Sequence, residues 1–351
     1  MTRRKSIATG AASTGMLLGA EKSSLQEKKT AEEIGPGRET FWEPGPNKNL
    51  VRDLTPGPTP VRLANYQRWD QNSGIGLGDW VKGIRESGLT AISVPPDPWD
   101  SIGDSEIREF RSTLKEHDVE VFEVCGYCNL LHTDESSRQK NLRHIARCIE
   151  IADRIGCLAV GTISGSRNPK HNNFIDNYAV HPDNWTLETW HLLIDGLNQI
   201  LNDTSGMKAV IGMEAQVTTN IDGPLAHRRL IDDVGSDRIK VTLDPINMVC
   251  LTNYFHTTEL INECFDLLGE DIVGCHGKDT VALPHQQTVH IQELCTGRGI
   301  FDHEMYLVRL SRMKWPRSIW PDHIPAEQMP EAYAHLRKLA QKLGVKIYGE
   351  S

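Results

Sequence analysis

Four short segments bring together the side chains best suited to chemistry: Gly-Met-Glu214-Ala, Leu-Asp244-Pro-Ile-Asn247, Cys-His276-Gly-Lys278-Asp279 and Pro-Ala-Glu327-Gln. In each, an acid or an imidazole closes a short apolar run, and a helix-like stretch or a long loop follows. Three carboxylates and one histidine on neighbouring strand ends would make an open site for one divalent metal ion. Mn²⁺, Mg²⁺ or Co²⁺ suit these hard oxygen donors best, and Zn²⁺ is compatible with them. A metal chelated by adjacent carbonyl and hydroxyl oxygens polarises the carbonyl and stabilises the enediolate left when the neighbouring carbon loses its proton. Glu214 and Glu327 are the candidate catalytic base and acid, and Glu214, Asp244, His276 and Glu327 the candidate metal ligands.

Such a mouth needs a scaffold that sets strand ends side by side. From about residue 60, β-like segments at 61–66, 89–94, 119–126, 157–163, 208–214, 239–244, 271–276 and 323–327 alternate with amphipathic stretches at 78–87, 104–116, 136–155, 187–203, 224–234, 255–269, 302–311 and 330–343. Gly88, Gly156, Gly235 and Gly269 stand just past helical patterns, where a C-terminal glycine belongs. Eight repeats of this kind predict a single-domain α/β fold, a (β/α)8 TIM barrel. A doubly wound open sheet would carry a glycine-rich phosphate turn after its first strand, and none is evident. Strand side chains alternate with period two. Ile239, Val241 and Leu243 therefore face the helices while Asp244 faces the axis, and the same parity turns Glu214, His276 and Glu327 inward. The long connections 164–186 and 277–300 are expected to be lids or substrate walls.

The chain divides into a twin-arginine-type signal over 1–20, beginning Thr-Arg3-Arg4-Lys, a Gly/Pro-rich linker or irregular arm over 21–58, and the barrel over 59–351. This layout predicts an exported, periplasmic bacterial protein, with a leading stretch too short for a stable membrane span. The formal charge of −9 over 351 residues disfavours nucleic acid as a partner. A small-molecule carbohydrate is the expected substrate; a homodimer is compatible with the sequence, although no segment requires one. The eight cysteines are scattered, and the Cys125-Gly-Tyr-Cys128 pair reads as a strand end rather than a redox motif. His144, His227 and His335 are expected on solvated faces.

The strand-end pattern, with Gly126-Tyr127-Cys-Asn129-Leu-Leu-His132, Val160-Gly-Thr-Ile-Ser-Gly165 and Gly297-Arg298-Gly299, resembles the xylose-isomerase-like sugar phosphate isomerase/epimerase family from about residue 60 to 345. In that family the fifth to eighth strands supply Glu, Asp, His and Glu to a divalent metal, which implies Glu214, Asp244, His276 and Glu327 here. The resemblance implies a divalent-metal-dependent isomerase or epimerase that moves a proton next to a carbonyl of a sugar or cyclitol. The alternatives are a metal-dependent lyase or hydratase on a keto-sugar or keto-glycoside, and a non-catalytic carbohydrate-binding homologue. A nuclease of the apurinic-site endonuclease branch would need more metal ligands and basic loops. Two positions depart from the family. Asn247 stands where many epimerases have a histidine, and Gln328 where relatives often have another; asparagine cannot shuttle protons near neutral pH. Asn247, Arg298, Lys278, His132, Tyr127, Asn129, His181 and Trp99 are the candidate substrate contacts.

Overall fold

The computed structural model describes residues 52–170 and 173–350. The expected signal over 1–20 and the arm up to residue 51 lie outside the described residues.

Parallel strands β1 (Arg62–Tyr66), β2 (Ala91–Val94), β3 (Glu120–Cys125), β4 (Ala159–Ile163), β5 (Val210–Glu214), β6 (Ile239–Leu243) and β7 (Ile272–His276) follow the sequence expectation within two residues at each end. A hairpin, β8 (Asp279–Ala282) with β9 (Ile291–Leu294), occupies the long connection after β7. The eighth barrel strand is β10 (Ser318–Trp320), which pairs with β7 and β1 and closes the barrel. The expected strand at 323–327 is therefore corrected. The apolar run Ser318–Trp320 takes its place in the sheet, and Ala326–Gln328 forms a short 3-10 turn.

Among the described residues, eight α-helices cover the outside: α1 (Leu77–Glu86), α2 (Asp104–Glu116), α3 (Glu135–Ile155), α4 (Leu187–Asp203), α5 (Pro224–Val234), α6 (Thr257–Leu268), α7 (His303–Ser311) and α8 (Met329–Leu343). Side-chain caps set the starts of three of them. Asp134 accepts from the Ser137 amide, Thr186 from Thr189 and Asp302 from Met305. Each helix packs one stripe on the sheet; in α3 it is Leu142, Ile145, Ile149 and Ala152, spaced three or four apart. The main apolar core fills this layer between sheet and helices.

The barrel interior is a separate compartment. Ala64, Ala91, Phe122 and Trp320 form a small apolar cluster there, and Phe122 reaches to within 2.9 Å of where a Cβ on Gly274 would stand. The pairing of β2 with β3 shifts register, so that Ile92 meets Val121 but Ser93 meets Glu123. This bulge turns both Phe122 and Glu123 inward. Glu123 then needs the space left by Gly161, where a Cβ would come within 2.2 Å of its carboxylate.

The expectation of solvated histidines fails for three residues. His227 on α5 is fully buried, and its Nε2 lies 3.0 Å from the Met213 carbonyl on β5. His144 and His335 are half-buried. Burial pushes the His227 pKa down from 6.5 to about 4. The unfolded chain therefore takes up a proton as pH drops through 6.5, while the folded chain resists until about 4. His227 contributes its full stability above 6.5 and loses up to about 3 kcal/mol by pH 4. His227→Gln keeps a donor for Met213 and removes the titration. Denaturant melts from pH 7.5 down to 4 should show the wild type losing about 3 kcal/mol more than this variant. A difference that does not change with pH would show that His227 is not buried neutral.

Candidate functional site

The C-terminal rim of the barrel gathers the polar strand ends. Glu214 is the last residue of β5, and its neighbour in the ladder is Ile163 at the end of β4. Asp244 follows β6 directly. Pro245 keeps Asp244 extended (φ −122°, ψ 91°) and starts the 3-10 turn Pro245–Met248, whose Ile246 amide donates to Asp244 Oδ1 at 3.1 Å. That turn carries Asn247 back over the rim, where its Nδ2 donates to Glu214 Oε1. His276 ends β7, and its partner in the ladder is Trp320 at the end of β10.

Glu214, Asp244 and His276 are all buried, and each offers one ligand atom within 4.8 Å of the others. His276 Nδ1 lies 3.3 Å from Asp244 Oδ2, 3.7 Å from Glu214 Oε2 and 3.5 Å from Asp322 Oδ2. The further carboxylate at this point is thus Asp322, two residues beyond β10. Glu327 is exposed on the Ala326–Gln328 turn and lies outside this group, which corrects its expected place among the ligands. After Asp322 the chain turns sharply. His323 is left-handed (φ 57°), and its amide donates to Asp322 Oδ1 at 2.8 Å.

Lys278 is the main cation of the mouth and is 1% exposed. Its Nζ is 3.0 Å from Asp244 Oδ2, and donates to Asn247 Oδ1 at 3.0 Å and Glu293 Oε1 at 3.1 Å. His323 Nδ1 lies 3.1 Å from the same ammonium and 3.1 Å from Glu293 Oε2. Below this layer Glu123 accepts from Ser93 Oγ at 3.2 Å, Thr242 Oγ1 at 3.1 Å and the Tyr127 hydroxyl at 3.3 Å.

Burial and mutual repulsion set the protonation of the cluster. Burial pushes the Glu214 pKa up to about 7 against the pull of His276, and the nearby Asp244 pushes the same way. Burial would also raise Asp244, but Lys278 and His276 beside it hold it well below the usual carboxylate range. Burial disfavours the imidazolium of His276, yet Glu214, Asp244 and Asp322 raise its pKa to about 10. For Lys278, burial likewise opposes the charge, and Asp244, Glu214, Asp322 and Glu293 raise its pKa above the usual lysine range.

The donor set fits a divalent ion. Carboxylate oxygens of Glu214, Asp244 and Asp322 converge with one imidazole nitrogen in a buried pocket, whose own cations are Lys278 and His276. An ion bound there would let His276 be neutral and take over its counter-charge role. His276 Nε2 meets no hydrogen-bond acceptor among the described residues; the Trp320 ring, edge-on at 4.9 Å, fixes the plane of the imidazole.

A cavity of about 500 Å³ opens above the cluster. Tyr66, Tyr127, Tyr178 and Trp320 give it aromatic walls, and Phe174 of the connection after β4 overhangs it. Of the candidate substrate contacts, Tyr127 and Asn247 line this cavity and Lys278 lies behind its polar wall. The other five are placed elsewhere. Arg298 pairs with Glu331 on α8 at 2.5 Å. His132 Nδ1 accepts from the Asp134 amide just before α3. Asn129 is buried and holds the backbone of Leu131 and Ser166. His181 accepts from the Asp183 amide at the start of a 3-10 turn. Trp99 is buried against Phe110, ring centres 4.7 Å apart, in the outer layer. Asp279, whose carboxylate accepts from the amides of Thr280, Gly297, Gly299 and Phe301, fastens the loop after β9.

Asp322, Glu293, His323, Tyr66, Tyr178 and Trp320 belong to the mouth without having been expected there. Asp322 left one signal in the sequence: like Asp244, it is an acid beside a proline at the end of an apolar run, here Ile319-Trp320-Pro321-Asp322. All eight cysteines are free, including Cys125 and Cys128. No helix among the described residues is long and apolar enough to cross a membrane.

A family profile described as xylose isomerase-like TIM barrel matches residues 81–345. Comparison with curated protein sequences finds no significant match. Among solved structures, the fold is similar to a xylose isomerase domain protein from Planctomyces limnophilus, at 16% identity and TM-score 0.58 over 82% of this chain and 99% of that one. It is similar to 3-keto-D-glucoside 4-epimerase from E. coli, at 16% identity and TM-score 0.52 over 79% and 99% of the two chains. It is also similar to endonuclease IV from Thermus thermophilus, at 14% identity and TM-score 0.59 over 80% and 99%.

Calorimetric titration with Mn²⁺ tests the ligand set. Asp322→Asn should weaken binding roughly tenfold or more, whereas Glu327→Gln should leave it at the wild-type value. Equal losses in the two variants would return Glu327 to the site.

Proposed function

The chain belongs to the xylose isomerase-like TIM barrel family, and from that premise we propose that it is a divalent-metal-dependent isomerase or epimerase acting next to a carbonyl of a sugar or cyclitol. The observation that carries the reading is the buried group Glu214, Asp244 and His276, with Asp322 Oδ2 3.5 Å from the same imidazole nitrogen. These four residues would hold the ion, which when bound would supply Lewis-acid polarisation of a substrate carbonyl. Mn²⁺, Mg²⁺ and Co²⁺ suit the donors best.

The chain's own groups handle the proton. Glu214 is the base: Asn247 holds its Oε1, while its Oε2 is the oxygen nearer His276. Asp322 rises from β10, across β6 and β7 from β5 in the closed sheet, and so addresses the opposite face of a carbon between them. It takes the acid role expected of Glu327, which is exposed on its turn. Two carboxylates on opposite faces suit removal of a proton from one side and its return from the other. Asn247, pinned between Glu214 and Lys278, positions the base and moves no proton.

The walls bear on the charge of the substrate. Among the described residues no arginine or lysine lines the cavity, and Lys278 is occupied behind it. This supports a free or oxidised sugar over a phosphorylated one, and it disfavours a phosphodiester substrate. A second reading is elimination or hydration on a keto-glycoside. The elimination begins with the same proton abstraction and expels the group on the β-carbon, and the hydration adds water to the resulting double bond. Both are favoured by Asn247, which removes one proton shuttle from the mouth. The same reading extends to the address of the chain. A twin-arginine-type signal over 1–20 and an arm over 21–58 would deliver the barrel of 59–351 to the periplasm of a bacterium.

The test is solvent exchange. Metal-loaded protein incubated in D₂O with free, keto and phosphorylated sugars should label a free or keto sugar at the carbon beside its carbonyl. Glu214→Gln should slow labelling by about 10²-fold or more. Labelling at the wild-type rate in that variant removes Glu214 as the base, and no labelling of any sugar by the wild type leaves a carbohydrate-binding protein.

A further inference from the structure

A second chamber of about 610 Å³ adjoins the mouth. It lies between the turn after β6 and the β8–β9 hairpin, and Gln216, Asn247 and Glu293 line both spaces. Beyond those three residues the aromatic rings and further acids of the mouth give way to mainly aliphatic side chains. On the far side Val217, Val249, Leu251, Val289 and Ile291 share the walls with Ile246, Cys250, Thr280 and Thr288. Leu251 is 66% exposed and Val289 49% exposed, so this apolar surface faces open solvent directly beside a polar, acidic site. The side-chain Oε1 of Gln216, at the junction, is buried and has no hydrogen-bond partner among the described residues. A buried amide oxygen without a partner is costly, and a ligand hydroxyl crossing the junction would satisfy it.

We propose that this chamber is an aglycone subsite: the enzyme takes a keto-glycoside, whose oxidised ring places its carbonyl in the mouth and whose neutral, apolar or aromatic aglycone occupies the groove. The inference rests on the sugar-directed reading above and narrows its substrate class. A ligand spanning both spaces meets the carboxylates and aromatic rings of the mouth at one end and an aliphatic wall at the other, which suits a sugar bearing an aglycone. A charged aglycone does not fit, because among the described residues the groove is lined by no lysine or arginine and by one acid, Glu293. A free monosaccharide fills only the mouth and leaves the apolar walls wet. Continuity with the mouth, through three shared residues, favours a substrate part over a protein partner as the occupant.

The experiment compares p-nitrophenyl β-glycosides of glucose, galactose and xylose with the three free sugars, by titration calorimetry on the Mn²⁺-loaded full chain. At least one glycoside should bind about tenfold or more tighter than its parent sugar. Leu251→Asp and Val289→Asp, on exposed side chains outside the catalytic cluster, should each abolish that gain and leave free-sugar binding and deuterium exchange unchanged. Absence of a gain for all three sugars overturns the proposal, as does a gain kept in both variants. So does a wild-type dimer that Leu251→Asp dissociates, since the groove would then be an interface between copies. Failure of deuterium exchange with the aglycone gain intact sinks the catalytic reading alone.

Discussion

The mouth of this barrel is governed by the need to hold like charges together away from water. Glu214, Asp244 and Asp322 crowd one imidazole nitrogen within 3.7 Å, and Glu123 lies buried beneath them. Such a group survives only if fixed positive charge and oriented dipoles answer it. Lys278 and His276 provide the charge, and they are also what ties the rim together. Through its ammonium, Lys278 joins the end of β6, the turn that carries Asn247, and the hairpin strand that carries Glu293. Asn247 in turn fixes the direction of Glu214. The orientation of Glu214 on β5 thus depends on a lysine that follows β7. The same excess of carboxylates over cations is what suits the cluster to a divalent ion.

Beneath this layer, small departures from regular sheet geometry decide what the interior can hold. A regular β3 would send Glu123 to the helix side. The register shift opposite Ser93 turns it inward instead, and the missing side chain at Gly161 makes room for it. Three hydroxyls, from Ser93, Thr242 and Tyr127, solvate its carboxylate in place of a cation. Burial still raises its pKa, because those donors offset only part of the lost hydration.

Most of this architecture was readable from residue order. The alternation of apolar and polar positions located β1 to β7 and all eight helices, and strand parity brought Glu214, Asp244 and His276 to the axis. Parity failed at the eighth strand because β10 has three residues, too few for a periodic signal, and its lead into α8 is long. The Ile324-Pro-Ala-Glu327 segment carries the strand-like pattern instead, but its closing acid stands exposed on the Ala326–Gln328 turn. Bulges are invisible to a period-two reading, and so is the inward turn of Glu123 that this one produces. Single polar or aromatic residues were the weakest guides. Arg298, Asn129, His132 and His181 serve turns and loops, and Trp99 packs in the outer layer. Their types suit ligand contact and backbone support equally, and only three-dimensional placement separates the two.

The cluster of Phe122, Ala64, Ala91 and Trp320 closes the barrel below the polar layer. Among the described residues this plug bars the barrel axis, so the polar layer is reached from the C-terminal rim. Were the chain to turn over a substrate, a departing product and an incoming molecule would meet at that same rim, and the dwell time of the first would limit how often the second is admitted.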